Sequence, residues 1–288
     1  MKASLPTPAE RPRIVGVVNM TEDSFSDGGL YVAPEDALAH AGRLRSDGAD
    51  IIELGPASSH PDAERVSAEE ERRRLAPVIE RLIAERVPVS IDSFLPDTQR
   101  FAVAHGVAYL NDVQGFPERA LHPLLADAEC RLIVMHSVQR RGPATKVVTD
   151  SAAIWAGIER FFDERLTELQ AAGIAPERLI IDPGLGFFLG SNPEPSLVVL
   201  ARVRQLKARF GLPILVSPSR KSFLRTLTGR EIAQIGSASL AAELHAAWHG
   251  ADYIRTHDVA ALHDALAVIY AIAAAESAPE VARSTGEG

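Results

Sequence analysis

The sequence predicts a single-domain (β/α)8 barrel, and three observations carry that expectation. Eight short apolar runs, most of them β-branched, recur along the chain. Stretches with helical spacing lie between them. Each run ends in a polar or glycine-containing cluster, and nearly all the candidate chemistry sits in those clusters. Strand then helix, repeated in this way, brings the C-terminal strand ends to one mouth, where an active site would be assembled from all round the chain.

The elements justify themselves in order. Ile14–Met20 runs into Thr21-Glu22-Asp23-Ser24, Ile51–Gly55 into Ser58-Ser59-His60, Val89–Ile91 into Asp92-Ser93, and Tyr109-Leu110 into Asn111-Asp112. Leu132–Met135 then leads to His136-Ser137, Leu179–Ile181 to Asp182-Pro183-Gly184, Ile214–Val216 to Ser217 through Ser222, and Tyr253-Ile254 to Arg255-Thr256-His257-Asp258. Helical spacing marks Ala68–Ala84, Ala152–Ala172, Glu194–Phe210 and Ser237–His249. Two long loops, Thr21–Tyr31 and Arg140–Asp150, follow strands and are candidate lids.

Composition narrows the classes. A chain of 288 residues, 46% hydrophobic, can bury one large core, and although its length permits two domains the barrel reading selects one, with a core of about 14–275 and frayed ends. The net charge of −8 argues against nucleic-acid partners but leaves room for a local cationic site. No apolar run reads as the roughly 18 to 20 residues needed to cross a bilayer, and Met1–Arg13 lacks the apolar centre of a signal peptide, so a cytoplasmic protein is expected. The single cysteine, Cys130, reads as a partly buried strand residue rather than a nucleophile. The absence of GxGxxG, GxxxxGK[ST] and zinc-type Cys/His spacing disfavours dinucleotide and P-loop chemistry.

Asp92, Asn111 and Asp182 end three different strands. A carboxylate accepts two N–H donors side by side and an amide both gives and accepts, so together they suit a flat nitrogen heterocycle; each could instead cap the next helix or turn. Ser219-Arg220-Lys221-Ser222 after the seventh strand, with Arg255 and His257 after the eighth, puts cations in the barrel quadrant that often binds phosphate. Asn19 offers a neutral oxygen suited to a hard cation such as Mg²⁺. The glycine-rich loop after it can close over anionic oxygens or remain a solvated turn. Phe187, in Asp182-Pro183-Gly184-Leu185-Gly186-Phe187, could wall an aromatic substrate. His136 reads as a structural histidine.

In this order, Asn19–Gly29, Ile52–Ala63, Ser90–Ser93, Asn111-Asp112, Met135-His136, Asp182–Phe187, Ser219–Ser222 and Arg255–Val259 resemble the dihydropteroate synthase family. The resemblance implies a homodimeric, Mg²⁺-using folate-pathway barrel that joins 6-hydroxymethyl-7,8-dihydropterin pyrophosphate to p-aminobenzoate. It implies catalytic roles for Asp92, Asp182 and Lys221, and a pterin pocket of Asp92, Asn111, Met135, Asp182 and Lys221. It implies pyrophosphate and metal contacts at Asn19, Arg220, Arg255 and His257, the metal at Asn19, and p-aminobenzoate contacts at Ser59, Pro61, Phe116, Phe187 and Ser222. Glu22, Glu53, Pro56 through His60 and Phe188-Leu189 depart from the common pattern, His60 standing where an arginine is usual. Glu53–Ala63, Asn111–Pro117 and Ala238–Ala246 look like the sulfonamide-insensitive branch, whose Phe-Gly-type extension Gly115-Phe116 resembles. A pterin-binding methyltransferase and an inactive pterin-binding module are the alternative readings.

Overall fold

The computed structural model describes residues 11–21, 33–58, 60–142 and 144–277. The strands are β1 (Arg13–Asn19), β2 (Ile51–Gly55), β3 (Val89–Asp92), β4 (Tyr109–Asp112), β5 (Arg131–Met135), β6 (Leu179–Asp182), β7 (Leu215–Val216) and β8 (Tyr253–Thr256). The α-helices are α1 (Pro34–Ser46), α2 (Ala68–Ala84), α3 (Pro96–Ala104), α4 (His122–Asp127), α5 (Ser151–Ala171), α6 (Glu194–Ala201), α7 (Val203–Phe210), α8 (Ser222–Thr228), α9 (Gly236–Trp248) and α10 (Val259–Ser277). All strand pairs are parallel, in the order β6-β5-β4-β3-β2-β1-β8-β7. The ring closes through a bridge between Ile181 and Ile214, where the Ile181 N–H donates to the Pro213 carbonyl at 3.0 Å. The barrel read from the sequence is the fold.

Strand parity sorts the core into two compartments. Outward residues such as Ile14, Ile52, Ile91, Leu110, Val134 and Ile254 join the helices in the main apolar cluster. Inward residues Val15, Ile51, Tyr109, Ile133, Ile180, Leu215 and Tyr253 form a separate cluster that plugs the barrel. Beneath it, Arg13 donates to the Tyr109 hydroxyl and Arg131 to the Tyr253 hydroxyl, each at 3.0 Å, while the two tyrosine rings meet edge-on. The plug leaves only the C-terminal half of each strand for function.

Three elements differ from the sequence reading. The expected helix Glu194–Phe210 divides at Arg202, whose backbone leaves the helical well and whose guanidinium lies 5.2 Å from the Trp155 ring centre. Val259–Glu276 in α10 is, by length and composition, apolar enough to cross a membrane, which the sequence reading had not recognised. In the fold it is the last outer helix of the barrel, burying Val259, Leu262, Leu266, Tyr270 and Ala273. Gly115-Phe116 was expected at the p-aminobenzoate surface and is not there. The buried Asp112 carboxylate takes the N–H of Gln114 at 2.7 Å, that of Phe116 at 3.1 Å and the Gln99 amide at 2.9 Å. This tight turn puts Gly115 and Phe116 at positive φ and drives the Phe116 ring, 1% exposed, into the main core. Cys130 is buried, and burial pushes its thiol up.

The plug should behave as a close-packed layer. Ile133→Ala is expected to cost about 3 kcal/mol in urea unfolding, because its neighbours belong to a closed ring and cannot collapse into the space. A loss under about 0.5 kcal/mol would show that the barrel interior is not packed as described.

Candidate active site

Two residues beyond the plug, the same parity delivers mostly polar groups to the mouth. Ile51 is followed by Glu53, Tyr109 by Asn111, Ile133 by Met135, Ile180 by Asp182 and Tyr253 by Arg255. Asp92 lies level with Asn111 in the β3–β4 register. Above this layer opens a cleft of about 580 Å³. Its wall includes Asn19, Pro61, Asp92, Phe187, Arg220, Lys221, Ser222, Arg255 and His257, all of them residues singled out in the sequence. Ser59 and residues 22–29 of the glycine-rich loop lie outside the described residues.

Arg255 organises the charge. Its Nη2 donates to Asp92 Oδ2 at 2.7 Å, and its Nε forms a close ion pair with Glu53 Oε2. Burial opposes the Arg255 charge, but Glu53 and then Asp92 more than offset it and hold the guanidinium charged above its usual range. Glu53 is fully buried and takes the Ser90 hydroxyl at 3.1 Å. Burial pushes its carboxyl up to about 7 against the pull of Arg255. The sequence reading set Glu53 aside as a departure from the family pattern; a charged residue at inward parity in an otherwise apolar strand was the signal that it belongs to the site.

The floor holds the heterocycle-type donors and acceptors. Asn111 is fully buried, and neither its amide nitrogen nor its amide oxygen has a hydrogen-bond partner among the described residues. Asp182 is 2% exposed and takes the Gly184 N–H on Oδ1 at 2.8 Å; burial pushes its carboxyl up to about 6, opposed by Lys221 and Arg255. Gly184 has φ +74°, and a Cβ there would stand 2.5 Å from the His136 carbonyl oxygen, so only glycine lets this turn reach the carboxylate. Met135 packs with Val113, Ala144 and Phe188 beside the floor. The Lys221 ammonium lies 5.1 Å from the Phe188 ring centre; burial and then Arg255 bring it down to about 8 despite the nearby carboxylates. His136 donates from Nδ1 to the Pro183 carbonyl at 3.2 Å, packs edge-on to Phe161, and is pushed by burial down to about 4, so it serves the turn as a neutral ring.

The rim divides into two ends. At one, Phe187 stands edge-on to His60 with centroids 5.5 Å apart, and Lys146 from the loop after β5 pairs with Asp62 from the loop after β2. At the other, Ser219 Oγ receives the His257 backbone N–H at 3.3 Å and sits 3.1 Å from His257 Nδ1. Arg220 adopts φ +57° and donates its backbone N–H to Ser239 Oγ at 3.1 Å. Lys146 is not singled out in the sequence and Ser219 only as the first residue of its cationic run; their partners lie 84 and 38 residues away, a distance over which no local pattern speaks.

Comparison with known proteins matches this architecture throughout. The family model described as "Pterin binding enzyme" matches residues 15–257. The Escherichia coli protein named dihydropteroate synthase type-2 is 54% identical over 259 residues, covering 90% of this chain and 95% of its own. The Xanthomonas albilineans dihydropteroate synthase with 4-aminobenzoic acid superposes with a TM-score of 0.83 at 41% identity, covering 94% of this chain and 95% of that one. The same enzyme in complex with 7,8-dihydropteroate gives 0.79 at 40% identity over the same shares. On the family match, the identity and coverage of these relatives and the superposition, the chain belongs to the dihydropteroate synthases, transferases of the pterin-binding enzyme family.

Proposed function

We propose that this cleft condenses 6-hydroxymethyl-7,8-dihydropterin pyrophosphate with p-aminobenzoate to give 7,8-dihydropteroate and pyrophosphate. The observation that carries the reading is Asn111: a fully buried amide with neither end partnered among the described residues, level with Asp92 on the neighbouring strand. Leaving such a group unpaired costs about 1 to 3 kcal/mol, so it implies a ligand edge carrying both a donor and an acceptor. A pterin ring has that edge, and Asp182 and Asp92 offer the carboxylates for its remaining N–H groups, with Met135 and Lys221 beside the ring.

Pyrophosphate then belongs toward Arg220, Arg255 and His257, and the aminobenzoate ring toward Phe187, Pro61, Ser222 and Ser59. In the reaction the bond between the exocyclic pterin carbon and the pyrophosphate oxygen breaks, taking its electron pair to the leaving group. The aniline nitrogen supplies the pair for the new C–N bond and gives up one proton. Asp92 and Asp182 face the pterin, where positive charge develops, and the cations face the leaving group, where negative charge develops. Lys221 positions rather than deprotonates, since the aniline nitrogen already has a free pair.

The donor set fits Mg²⁺ brought in with the substrate. Among the described residues no three His, Cys, Asp or Glu side chains gather into a metal cage, whereas Asn19 puts one neutral oxygen-bearing side chain on the cleft wall. Mg²⁺ commonly takes one or two protein oxygens and completes its shell with phosphate oxygens and water. Bound there it neutralises charge on the leaving group. The assembly we propose is a homodimer, for which α10 keeps Val268 and Ile272 exposed.

Pterin binding should weaken as pH falls through about 6, because Asp182 then takes a proton and ceases to be a pure acceptor. Asp182→Asn should remove that step and lower kcat/KM by roughly a hundredfold or more, about 3 kcal/mol of transition-state stabilisation. Turnover near the parent's in both Asp182→Asn and Asp92→Asn would sink the pterin assignment.

Chelating Mg²⁺ should weaken binding of the pterin pyrophosphate far more than that of hydroxymethylpterin itself. Calorimetry with both ligands checks this, and equal losses would place the metal away from the leaving group.

Sulfonamide insensitivity, read from the sequence, has its structural candidate in Phe187 rather than Phe116. Sulfonamides carry a substituent beyond the volume of the p-aminobenzoate carboxylate, so an aromatic wall can exclude them while sparing the substrate. Phe187→Ala should increase inhibition by sulfamethoxazole by roughly tenfold or more, whereas Phe116→Ala should lower the melting temperature and leave inhibition unchanged. The opposite pattern would restore Phe116 as the gate.

A further inference from the structure

Behind Asp92 and Asn111, the outer layer of the barrel carries a buried amide that the reaction above does not use. Gln99 lies on α3 and is 1% exposed. Asp92 and Asn111 stand level in the β3–β4 register, and one residue further the Ser93 N–H donates to the Asn111 carbonyl at 3.1 Å. There the two strands end, and a side chain takes over. Gln99 Nε2 donates to the Ser93 carbonyl at 2.8 Å and to Asp112 Oδ2 at 2.9 Å. Ser93 and Asp112 directly follow Asp92 and Asn111, so one nitrogen spans the two chains just past the two groups assigned to the pterin.

Both partners of that nitrogen are acceptors, so an amide oxygen could not take its place, and its two protons are used one on each chain. The same two residues are held from other sides. Glu71 on α2 takes the Ser93 hydroxyl at 2.6 Å, Ser93 Oγ takes the Leu95 N–H at 3.1 Å, and the Asp112 carboxylate takes the N–H groups of Gln114 and Phe116. Ser93, Gln99 and Asp112 are all buried, so bulk water cannot replace a bond lost among them.

Asn111 is where this clamp acts. The Asp92 side chain is aimed by its bond from Arg255, but the Asn111 amide has no hydrogen-bond partner among the described residues at either end. Its direction is set by the backbone alone. Successive side chains of a strand point to opposite faces, so with Asn111 turned into the mouth Asp112 is turned outward, toward the helical layer from which Gln99 reaches it. We infer that Gln99 is a positioning residue for pterin recognition, which by tying Ser93 to Asp112 from outside the barrel holds the Asn111 amide at the distance and angle from Asp92 that one heterocycle edge requires. The inference rests on the pterin reading of the cleft floor. Were Gln99 only a satisfied amide in the packing of α3, its loss would lower stability without acting on the pterin through Asn111.

The test is a double-mutant cycle in the full protein. Calorimetry gives the Kd of 6-hydroxymethylpterin for the parent, Gln99→Met, Asn111→Ala and the double variant, at a temperature where circular dichroism shows all four folded. Methionine keeps the length of the side chain and removes its donors. Gln99→Met should weaken pterin binding by roughly tenfold in the parent and by less than about twofold in Asn111→Ala, where no amide is left to aim. At saturating pterin pyrophosphate, the KM for p-aminobenzoate in Gln99→Met should stay within about twofold of the parent's. That split carries the test by itself if Asn111→Ala binds the pterin too weakly to measure. Gln99→Asn, whose amide is too short to reach both chains, replaces Gln99→Met if the latter does not fold. Unchanged pterin affinity in Gln99→Met, equal losses in the two backgrounds, or equal losses of pterin and p-aminobenzoate would overturn the inference and leave Gln99 a packing residue. A parent that binds no hydroxymethylpterin would overturn the pterin reading and this inference with it, and the parent's own titration tells that outcome from the others.

Discussion

Arg255 is the charge on which the polar half of the barrel depends. Inward parity places Glu53, Asp92 and Asp182 within one ring, and burial above the apolar plug opposes the ionisation of Glu53 and Asp182. The guanidinium answers two of them directly, through separate nitrogens, in the fork geometry that Lys could not supply. Lys221 adds a second cation near Asp182, and in the proposed reaction the resulting cluster would set positive charge toward the leaving anion and negative charge toward the pterin. The same residue therefore holds the site together and prepares it for both halves of the substrate.

That arrangement costs the protein stability at neutral pH. Glu53, Asp112 and Asp182 all have carboxyls raised by burial above their unfolded values. Groups shifted in this sense favour the folded state at low pH, and their contribution is lost as pH rises from about 4 through about 6 for the aspartates and about 7 for Glu53. The enzyme keeps acceptors poised in a dry place, where, on the proposed reading, pterin N–H groups would offset the cost of ionisation. Asp112 shows the same chemistry serving structure alone. Its buried carboxylate is consumed by Gln99 and two backbone amides, and the turn it builds sends Phe116 into the core.

The loops around the mouth are tied to one another rather than to their own strands. Lys146 joins the loop after β5 to Asp62 after β2, Ser219 joins the loop after β7 to His257 after β8, and Asn192 holds the backbone of Thr149 at 3.0 Å. Such ties fix the rim without fixing any single loop sequence. His60 packs edge-on against Phe187 and joins the aromatic wall of the cleft.

The sequence by itself determined the fold class, the strand ends that matter and most of the residues on them. Asp92, Asn111, Asp182 and Arg255 follow apolar runs directly, and period-two alternation in a parallel barrel admits only one face for each, while Asn19, Lys221 and His257 stand at or shortly after the ends of theirs. Tertiary structure decided what local pattern cannot carry. Glu53 sits within its strand rather than after it, and only the closed ring shows that Arg255, 202 positions later, is its partner. Phe116 follows a strand end as plausibly as Phe187 does, yet the Asp112 turn buries one and the Gly184–Gly186 turns present the other to the cleft. Gln99 carries no signal in the sequence, and its hold on Ser93 and Asp112 exists only because α3 brings it to the ends of β3 and β4. Alternation fixes which way a side chain points; what it meets there depends on chain segments brought together by barrel closure, and no local spacing encodes that.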